Sequence, residues 1–195
     1  MLKERSNHVC TAWDGYIWAC GPETSCEVMQ PGHIGSAPWQ QAPPMWRMRS
    51  RSAMVATPSR GIVVIGGSGT RSVEQIPSHE LFWAEGPSLP YVLEDMAAIA
   101  IGESIYLLGG WMSIGATDNI LMLSEGGIRW MKIAKLQRAR HWFASVRYGN
   151  DLWCIGGELD GTSEVFHSAA NTSELLQIDG YKPTKGTSAA IIPAH

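Results

Sequence analysis

Three apolar runs that end in paired glycines decide the fold of this chain of 195 residues: GIVVIGG at 61–67, SIYLLGG at 104–110 and NDLWCIGG at 150–157. The first glycine of each pair lies 43 and then 47 residues beyond the one before it. A pattern that recurs with such a period is typical of a repeat protein, in which each repeat is one small unit of secondary structure. The runs therefore predict a chain assembled from similar units.

Two further markers keep the same period. A degenerate copy of the run ends at Gly21, where Pro22 stands in place of the second glycine. One position recurs at the start of the strand that precedes each run, at intervals of 46, 43, 46 and 45 residues. It holds a basic residue in every copy but the third: Arg5, Arg51, Glu94, Arg140 and Lys185. The markers divide one repeat domain, 1–195, into four units and the start of a fifth, with approximate bounds 5–50, 51–93, 94–139, 140–184 and 185–195.

Each unit is predicted to contain four antiparallel strands. A run of small and apolar residues and a short turn precede each glycine-ended run, which is typical of a β-hairpin. The glycine-ended run is almost continuously apolar, so it suits a strand covered on both faces. One tryptophan recurs in the first three units, at Trp39, Trp83 and Trp130, and we expect it to pack between neighbouring units. Such sheets bury their faces by stacking around an axis, which predicts an all-β fold, a β-propeller of four-stranded antiparallel blades.

The composition of the chain argues against several classes of function. The chain is 45% hydrophobic and 17% charged, with a formal net charge of −3, so it offers no broad basic field for nucleic acid. No apolar run approaches the length of a membrane span, and no secretory signal is apparent, so we expect a cytoplasmic protein without a membrane partner. Four cysteines, Cys10, Cys20, Cys26 and Cys154, lack the paired spacing of a zinc or redox site. We expect reduced, mostly buried thiols, no metal and no cofactor.

The ordered set of markers resembles the Kelch repeat. That pattern has a basic residue before the innermost strand, an apolar strand that ends in two glycines, a third strand, and a tryptophan followed by a further basic residue. The match runs through RSAMVATPSRGIVVIGG at 51–67 and DMAAIAIGESIYLLGG at 95–110, and through RHWFASVRYGNDLWCIGG at 140–157. Departures from the pattern are Ile76 and Leu123 where a tyrosine is expected, and Ser173 in the tryptophan position of the fourth unit.

The resemblance implies a binding platform formed by loops at one face of the propeller. Two sets of positions would meet there, the residues that open the innermost strands and those that follow the glycine pairs: Arg5, Arg51, Ser52, Arg140, His141 and Lys185 in the first set, and Arg71, Trp111 and Asp160 in the second. Arginines there could bind a carboxylate or a phosphopeptide, and Trp111 could supply an aromatic anchor. The recurring basic residue could equally be structural, because it could satisfy carbonyls or a neighbouring acid between blades.

Two functions follow from the resemblance. The first is a non-catalytic protein-interaction module that binds a peptide or protein partner, as the substrate-recognition part of a ubiquitin-ligase adaptor or as a cytoskeletal scaffold. The alternative is a propeller enzyme that acts on carbohydrate, of the sugar oxidase or sialic-acid mutarotase type. The sequence contains no GxSxG, HExxH, P-loop or helix-opening GxGxxG motif, which favours the first function. Family propellers usually have more than four blades, so we also expect a part of a longer propeller, which would self-associate if its ring is incomplete.

Overall fold

The structure is a computed structural model that describes residues 1–32, 39–78, 80–157 and 162–176. Within these ranges the regular secondary structure consists of β-strands, which form four four-stranded antiparallel sheets and one small hairpin. We call each four-stranded sheet a blade. The chain divides into two compact units, Met1–Glu94 and Asp95–His195, and each unit contains two blades.

In the first unit the strands of each blade are adjacent in chain order. Blade 1 consists of β1 (Val9–Trp13), β2 (Tyr16–Cys20), β3 (Cys26–Met29) and β4 (Gln40–Ala42). Blade 2 consists of β5 (Ala53–Thr57), β6 (Gly61–Ile65), β7 (Val73–Ile76) and β8 (Ala84–Gly86).

The second unit repeats this order with one insertion. Blade 3 begins with β9 (Ala97–Ile101) and β10 (Ser104–Leu108), continues through a small hairpin of β11 (Trp111–Met112) and β12 (Gly115–Ala116), and ends with β13 (Asn119–Leu123) and β14 (Met131–Lys135). Blade 4 consists of β15 (Ala144–Tyr148), β16 (Asp151–Ile155), β17 (Ser163–His167) and β18 (Thr172–Leu176).

The glycine-ended runs form the second strand of each blade, as predicted. Every residue of β6 is buried, and Val63 lies between Val55 of β5 and Gln75 of β7. A β-branched run suits this position because its side chains fill both faces of the pleated strand. Apolar residues of β6 contribute to the core of the first unit, and Leu108, Leu152 and Cys154 contribute to that of the second.

The recurring tryptophan packs as expected in blade 2. Trp83 is 1% exposed and belongs to the core cluster of the first unit. Its indole N–H donates to the Pro43 carbonyl of blade 1, 2.8 Å away, so the ring joins two neighbouring blades. Trp130 of blade 3 is also buried, and Ser173 takes the corresponding place in blade 4, where its hydroxyl donates to the Lys135 carbonyl.

The expectation of reduced cysteines is wrong for two of the four. Cys20 and Cys26 form a disulfide that joins the end of β2 to the start of β3 in blade 1. The spacing of six residues is unlike CxxC, but the antiparallel register makes the two residues direct partners, which brings their side chains together. Cys10 and Cys154 are free, and burial raises the pKa of the Cys154 thiol.

Candidate partner-binding site

The glycine pairs mark one end of each blade, which we call the glycine end. Because strands alternate in direction, the loop after the second strand and the segment before the first strand lie at this same end. The loops that the resemblance implies as a binding face therefore do lie together within each blade. The other end of each blade carries the turn between its first and second strands and the loop between its third and fourth.

A buried arginine stands at the glycine end of blade 2. Arg49 donates from Nη1 to the carbonyls of Gly66 and Ser72, at 2.9 and 2.8 Å, and from Nη2 to Glu74 Oε1 at 2.8 Å. The Arg49 and Glu74 side chains are 0% and 1% exposed. Burial lowers the pKa of Arg49, and the hydrogen bond to Glu74 opposes this effect. The guanidinium thus ties the end of β6 to the start of β7.

Blades 1 and 4 contain the same arrangement. Arg5 donates to the Gly21 carbonyl at 2.6 Å and to Glu27 at 2.8 Å. Arg140 donates to the Gly156 carbonyl at 2.7 Å and to Glu164 at 2.8 Å. Burial raises the pKa of Glu27, but hydrogen bonds from Arg5 and from backbone amides outweigh it and hold the pKa below its usual value.

This geometry supports the structural interpretation of Arg5 and Arg140, since both side chains are buried and each donates to backbone carbonyls and to a glutamate of its own blade.

The assignment of the repeating basic position to Arg51 and Glu94 is wrong, because Arg49 and Leu93 occupy it. The Gly67 amide donates to the Leu93 carbonyl, just as the Gly110 amide donates to the Arg140 carbonyl. Leu121 takes the position of the glutamate in blade 3, since it pairs with Leu107 as Glu74 pairs with Val64.

Blade 3 therefore has buried leucines in both positions. The missed signal was a glutamate that follows the first glycine of the pair by six or eight residues, at Glu27, Glu74 and Glu164.

The first unit places a group of polar side chains at its glycine end. Arg51 has a left-handed backbone (φ 59°), and its Nη1 lies 3.0 Å from Glu94 Oε1. The Ser68 hydroxyl donates to the other oxygen of Glu94. Arg71 is exposed in the loop after the glycine pair, whereas Ser52 is buried. Arg51 and Arg71 are thus the predicted site residues of this unit that solvent reaches.

The second unit places an aromatic cluster at its glycine end, formed by Trp111, His141 and Trp142. The Trp111 and His141 ring centroids are 4.7 Å apart, and those of His141 and Trp142 are 6.0 Å apart. His141 is buried, with Nδ1 3.8 Å from Asp95 Oδ2, and the Trp142 indole N–H donates to Asp95 Oδ1. Asp95 thus anchors one side of the cluster, while Trp142 remains 39% exposed.

The hairpin inserted in blade 3 extends this cluster. Trp111 is half-buried on β11, and Ile114 at the turn is 88% exposed. The Thr117 amide donates to the Gly110 carbonyl at 2.9 Å, which closes the base of the hairpin. Trp111 and His141 are predicted residues that the fold brings together, whereas Ile114, Trp142 and Asp95 were missed. The signal for Ile114 was the longer segment between the glycine pair and the third strand in this unit.

Two predicted site residues, Asp160 and Lys185, lie outside the described residues, as does the start of the fifth unit. Among the described residues no group of three or more His, Cys, Asp or Glu side chains is placed to hold a metal ion. His167 of blade 4 forms a surface network, with Nδ1 2.9 Å from Asp151 and Nε2 3.5 Å from Glu174. The hydrogen bond to Asp151 raises the pKa of His167.

Comparison with known proteins shows which repeats these units are similar to. Kelch-like protein 35 of Mus musculus is 27% identical over 153 residues, which are 75% of this chain and 24% of that protein. The Kelch repeat protein M-T8 of Myxoma virus (strain Lausanne) is 34% identical over 86 residues, or 43% of this chain and 17% of that protein. The repeats of this chain are thus similar to those of Kelch-like and Kelch repeat proteins.

The solved structures agree on the fold. The Kelch-type propeller YjhT matches 92% of this chain and 68% of its own, with a TM-score of 0.80 at 11% sequence identity. No family model matches the chain. The four sheets are accordingly blades of a β-propeller. The chain spans about a quarter or less of the length of the curated Kelch relatives named above. In the described residues there is no helix with the length and hydropathy of a membrane span.

Proposed function

We propose that the chain is a non-catalytic protein-interaction module that binds a peptide or protein partner at the glycine end of blades 3 and 4. The observation that carries this proposal is the hairpin of blade 3, which presents Ile114 beside the aromatic cluster of Trp111 and Trp142. The blade does not need this hairpin, because blade 2 joins its second and third strands with a shorter loop. Residues that the fold does not require and that expose apolar surface are typical of a binding loop.

The chemistry of the cluster suits a protein partner. Tryptophan combines a large apolar area with few rotatable bonds, so it loses little entropy on binding and often dominates interface energetics. Asp95 and the buried His141 hold the two rings in place before a partner arrives, which lowers the cost of ordering.

The cellular role of this interaction module is proposed from the resemblance to Kelch proteins. Substrate recognition in a ubiquitin-ligase adaptor, or a scaffold of the cytoskeleton, both use a propeller as a platform, and both place the chain in the cytoplasm. Either role needs the partner-binding site proposed here. The site is therefore the first thing to test.

The test selects peptides from a random display library against the chain and measures their affinity by fluorescence anisotropy. Ile114→Ser should weaken binding at least tenfold, because it removes the exposed apolar side chain at the turn of the hairpin that carries Trp111. Ile128→Ser is the matched control, since Ile128 is 85% exposed at the opposite end of the same blade. Binding that responds equally to the two substitutions would contradict the proposed site.

The alternative, an enzyme that acts on carbohydrate, has a direct test. A sugar oxidase of the Kelch type would hold copper, so the purified chain is analysed for metal by mass spectrometry. Copper at one equivalent per chain would contradict a purely non-catalytic role. Turnover of hexoses or sialic acid by the copper-free chain would contradict it as well.

A further inference from the structure

A cleft of about 290 Å³ lies between blades 1 and 2 of the first unit. One wall comes from the hairpin of β1 and β2, with Trp13, Tyr16 and Trp18. The other comes from the segment after β7, which begins at Pro77. Both the β1–β2 turn and this segment lie at the end of the blades away from the glycine pairs. The cleft is therefore distinct from the partner-binding site proposed above.

The floor of the cleft is part of the core. Ile62 and Ile76 line it and are 1% and 6% exposed. Trp13 and Trp18 pack against the same core cluster, so their rings are held in place on one side and face the cleft on the other. Pro43, a further lining residue, has its carbonyl fixed by the Trp83 indole. The cleft is thus largely formed before any ligand binds.

Two of the residues that line the cleft expose large side chains to solvent. Tyr16 at one rim is 39% exposed, and Leu81 at the other is 84% exposed. A soluble domain usually leaves such large side chains scattered singly, whereas these two border the same cavity. Both side chains are thus available to contact a ligand in the cleft.

The charges at the cleft have one sign. Asp14 and Glu80 are among the described lining residues, and no lysine or arginine is among them. Two carboxylates beside aromatic rings favour a ligand that carries a positive charge. They disfavour a phosphorylated or otherwise acidic ligand, because like charges would face each other.

We propose that this cleft binds a proline-rich peptide segment that carries arginine or lysine. Prolyl rings pack well against tryptophan, tyrosine and proline side chains, and a polyproline II segment binds grooves of this kind because it is already extended in solution. Its carbonyls make no internal hydrogen bonds, so the indole N–H groups of Trp13 and Trp18 can donate to them. The basic side chain pairs with Asp14 and Glu80. The small volume suits a few side chains of an extended segment and excludes a packed helix.

The experiment measures binding of a fluorescent synthetic peptide that alternates proline and leucine and ends in two arginines. Binding to the chain should be saturable, and the double variant Asp14→Asn/Glu80→Gln should weaken it about tenfold. Asn suits the left-handed backbone of Asp14 (φ 49°), so this substitution preserves the turn. Glu23→Gln is the matched control, because it removes an exposed carboxylate at the glycine end of blade 1. Ile114→Ser, in the site proposed above, should leave this affinity unchanged.

Two control peptides separate the contributions to binding. A peptide with glutamates in place of the arginines should bind at least tenfold more weakly, and so should one with glycines in place of the prolines. Equal binding of the glycine peptide would show a merely cationic site and would overturn the proposal.

Three other outcomes would also overturn it: no saturable binding, competition by a neutral oligosaccharide, or a dimer in light scattering that Leu81→Ser converts to a monomer.

Discussion

The buried arginines at the glycine ends show how single residues hold these blades together. Each guanidinium reaches two backbone carbonyls, such as those of Gly66 and Ser72, and one glutamate. The Ser72 carbonyl also accepts from the Gly66 amide, and because a carbonyl has two lone pairs it can accept from the buried arginine as well. Blade 3 does without the ion pair, since Leu93 and Leu121 occupy the two positions. Charged residues and buried leucines are thus alternatives at equivalent positions of different blades.

The pair in blade 4 gives the first prediction. Glu164→Leu leaves Arg140 buried without its carboxylate and should lower the free energy of unfolding by about 3–5 kcal/mol. The double variant Arg140→Leu/Glu164→Leu recreates the residues of blade 3 and should be more stable than Glu164→Leu alone. Urea denaturation followed by tryptophan fluorescence measures both. A double variant no more stable than the single one would contradict the idea that the two pairs are equivalent.

At the scale of strands, the glycine pair determines how the second strand leaves its sheet. Gly109 follows β10 with φ 56°, and the next amide, that of Gly110, donates to the Arg140 carbonyl at 2.8 Å. A Cβ on Gly109 would overlap with this same carbonyl oxygen. The pair therefore permits both a left-handed turn and a close approach to the segment before blade 4. Its role is structural, as the repeat of the pair at the same strand end suggested.

The second prediction separates these two requirements. Gly102 has φ 58°, like Gly109, but a Cβ there would meet nothing within 4 Å. Gly102→Ala should lower the free energy of unfolding by about 1–2 kcal/mol, because the left-handed backbone is the one feature there that disfavours alanine. Gly109→Ala should lower it by at least twice as much, because the backbone must also move to separate the new Cβ from the Arg140 carbonyl. Thermal unfolding by circular dichroism gives both values. Full stability of Gly109→Ala together with loss of peptide binding would instead assign the glycine to the binding site.

At the scale of the whole molecule, the buried arginine–glutamate pairs described above each lie within one of the two units. The pair of Arg49 and Glu74 belongs to Met1–Glu94, and that of Arg140 and Glu164 belongs to Asp95–His195. In repeat proteins stability is approximately a sum of terms from each repeat and from its neighbours. Damage to one pair should therefore remain local.

The third prediction follows from this locality. Glu74→Leu should increase amide hydrogen exchange chiefly within 1–94, and Glu164→Leu chiefly within 95–176. Exchange monitored by mass spectrometry after proteolysis resolves the two regions, and the two variants serve as controls for each other. An equal loss of protection in both regions from either variant would show that the chain unfolds as a single cooperative body.

Part of the candidate site could be predicted from sequence. Trp111 and His141 were assigned correctly to the glycine end, because the period of the repeat fixes which loops share that end. The choice between Arg49 and Arg51 could not be made in the same way, since both precede the blade and both are arginine. Burial beside Glu74 decides for Arg49. Trp142 was overlooked because its exposure depends on a positive φ of 54° and on the bond to Asp95, neither of which has a local signal.

The sequence by itself determined the fold class, the four-stranded blades and the second strand of each blade, because repetition and hydrophobic patterning are properties of the chain. The expectations that the chain is part of a longer propeller and that it self-associates stay predictions. Only the tertiary structure decided which arginines are buried, that Cys20 and Cys26 are bonded, and that a cleft opens between blades 1 and 2. The buried arginines and the cleft depend on residues that are distant in sequence but meet when strands pair and blades pack. The disulfide depends on the register of β2 and β3, which the cysteine spacing alone does not reveal.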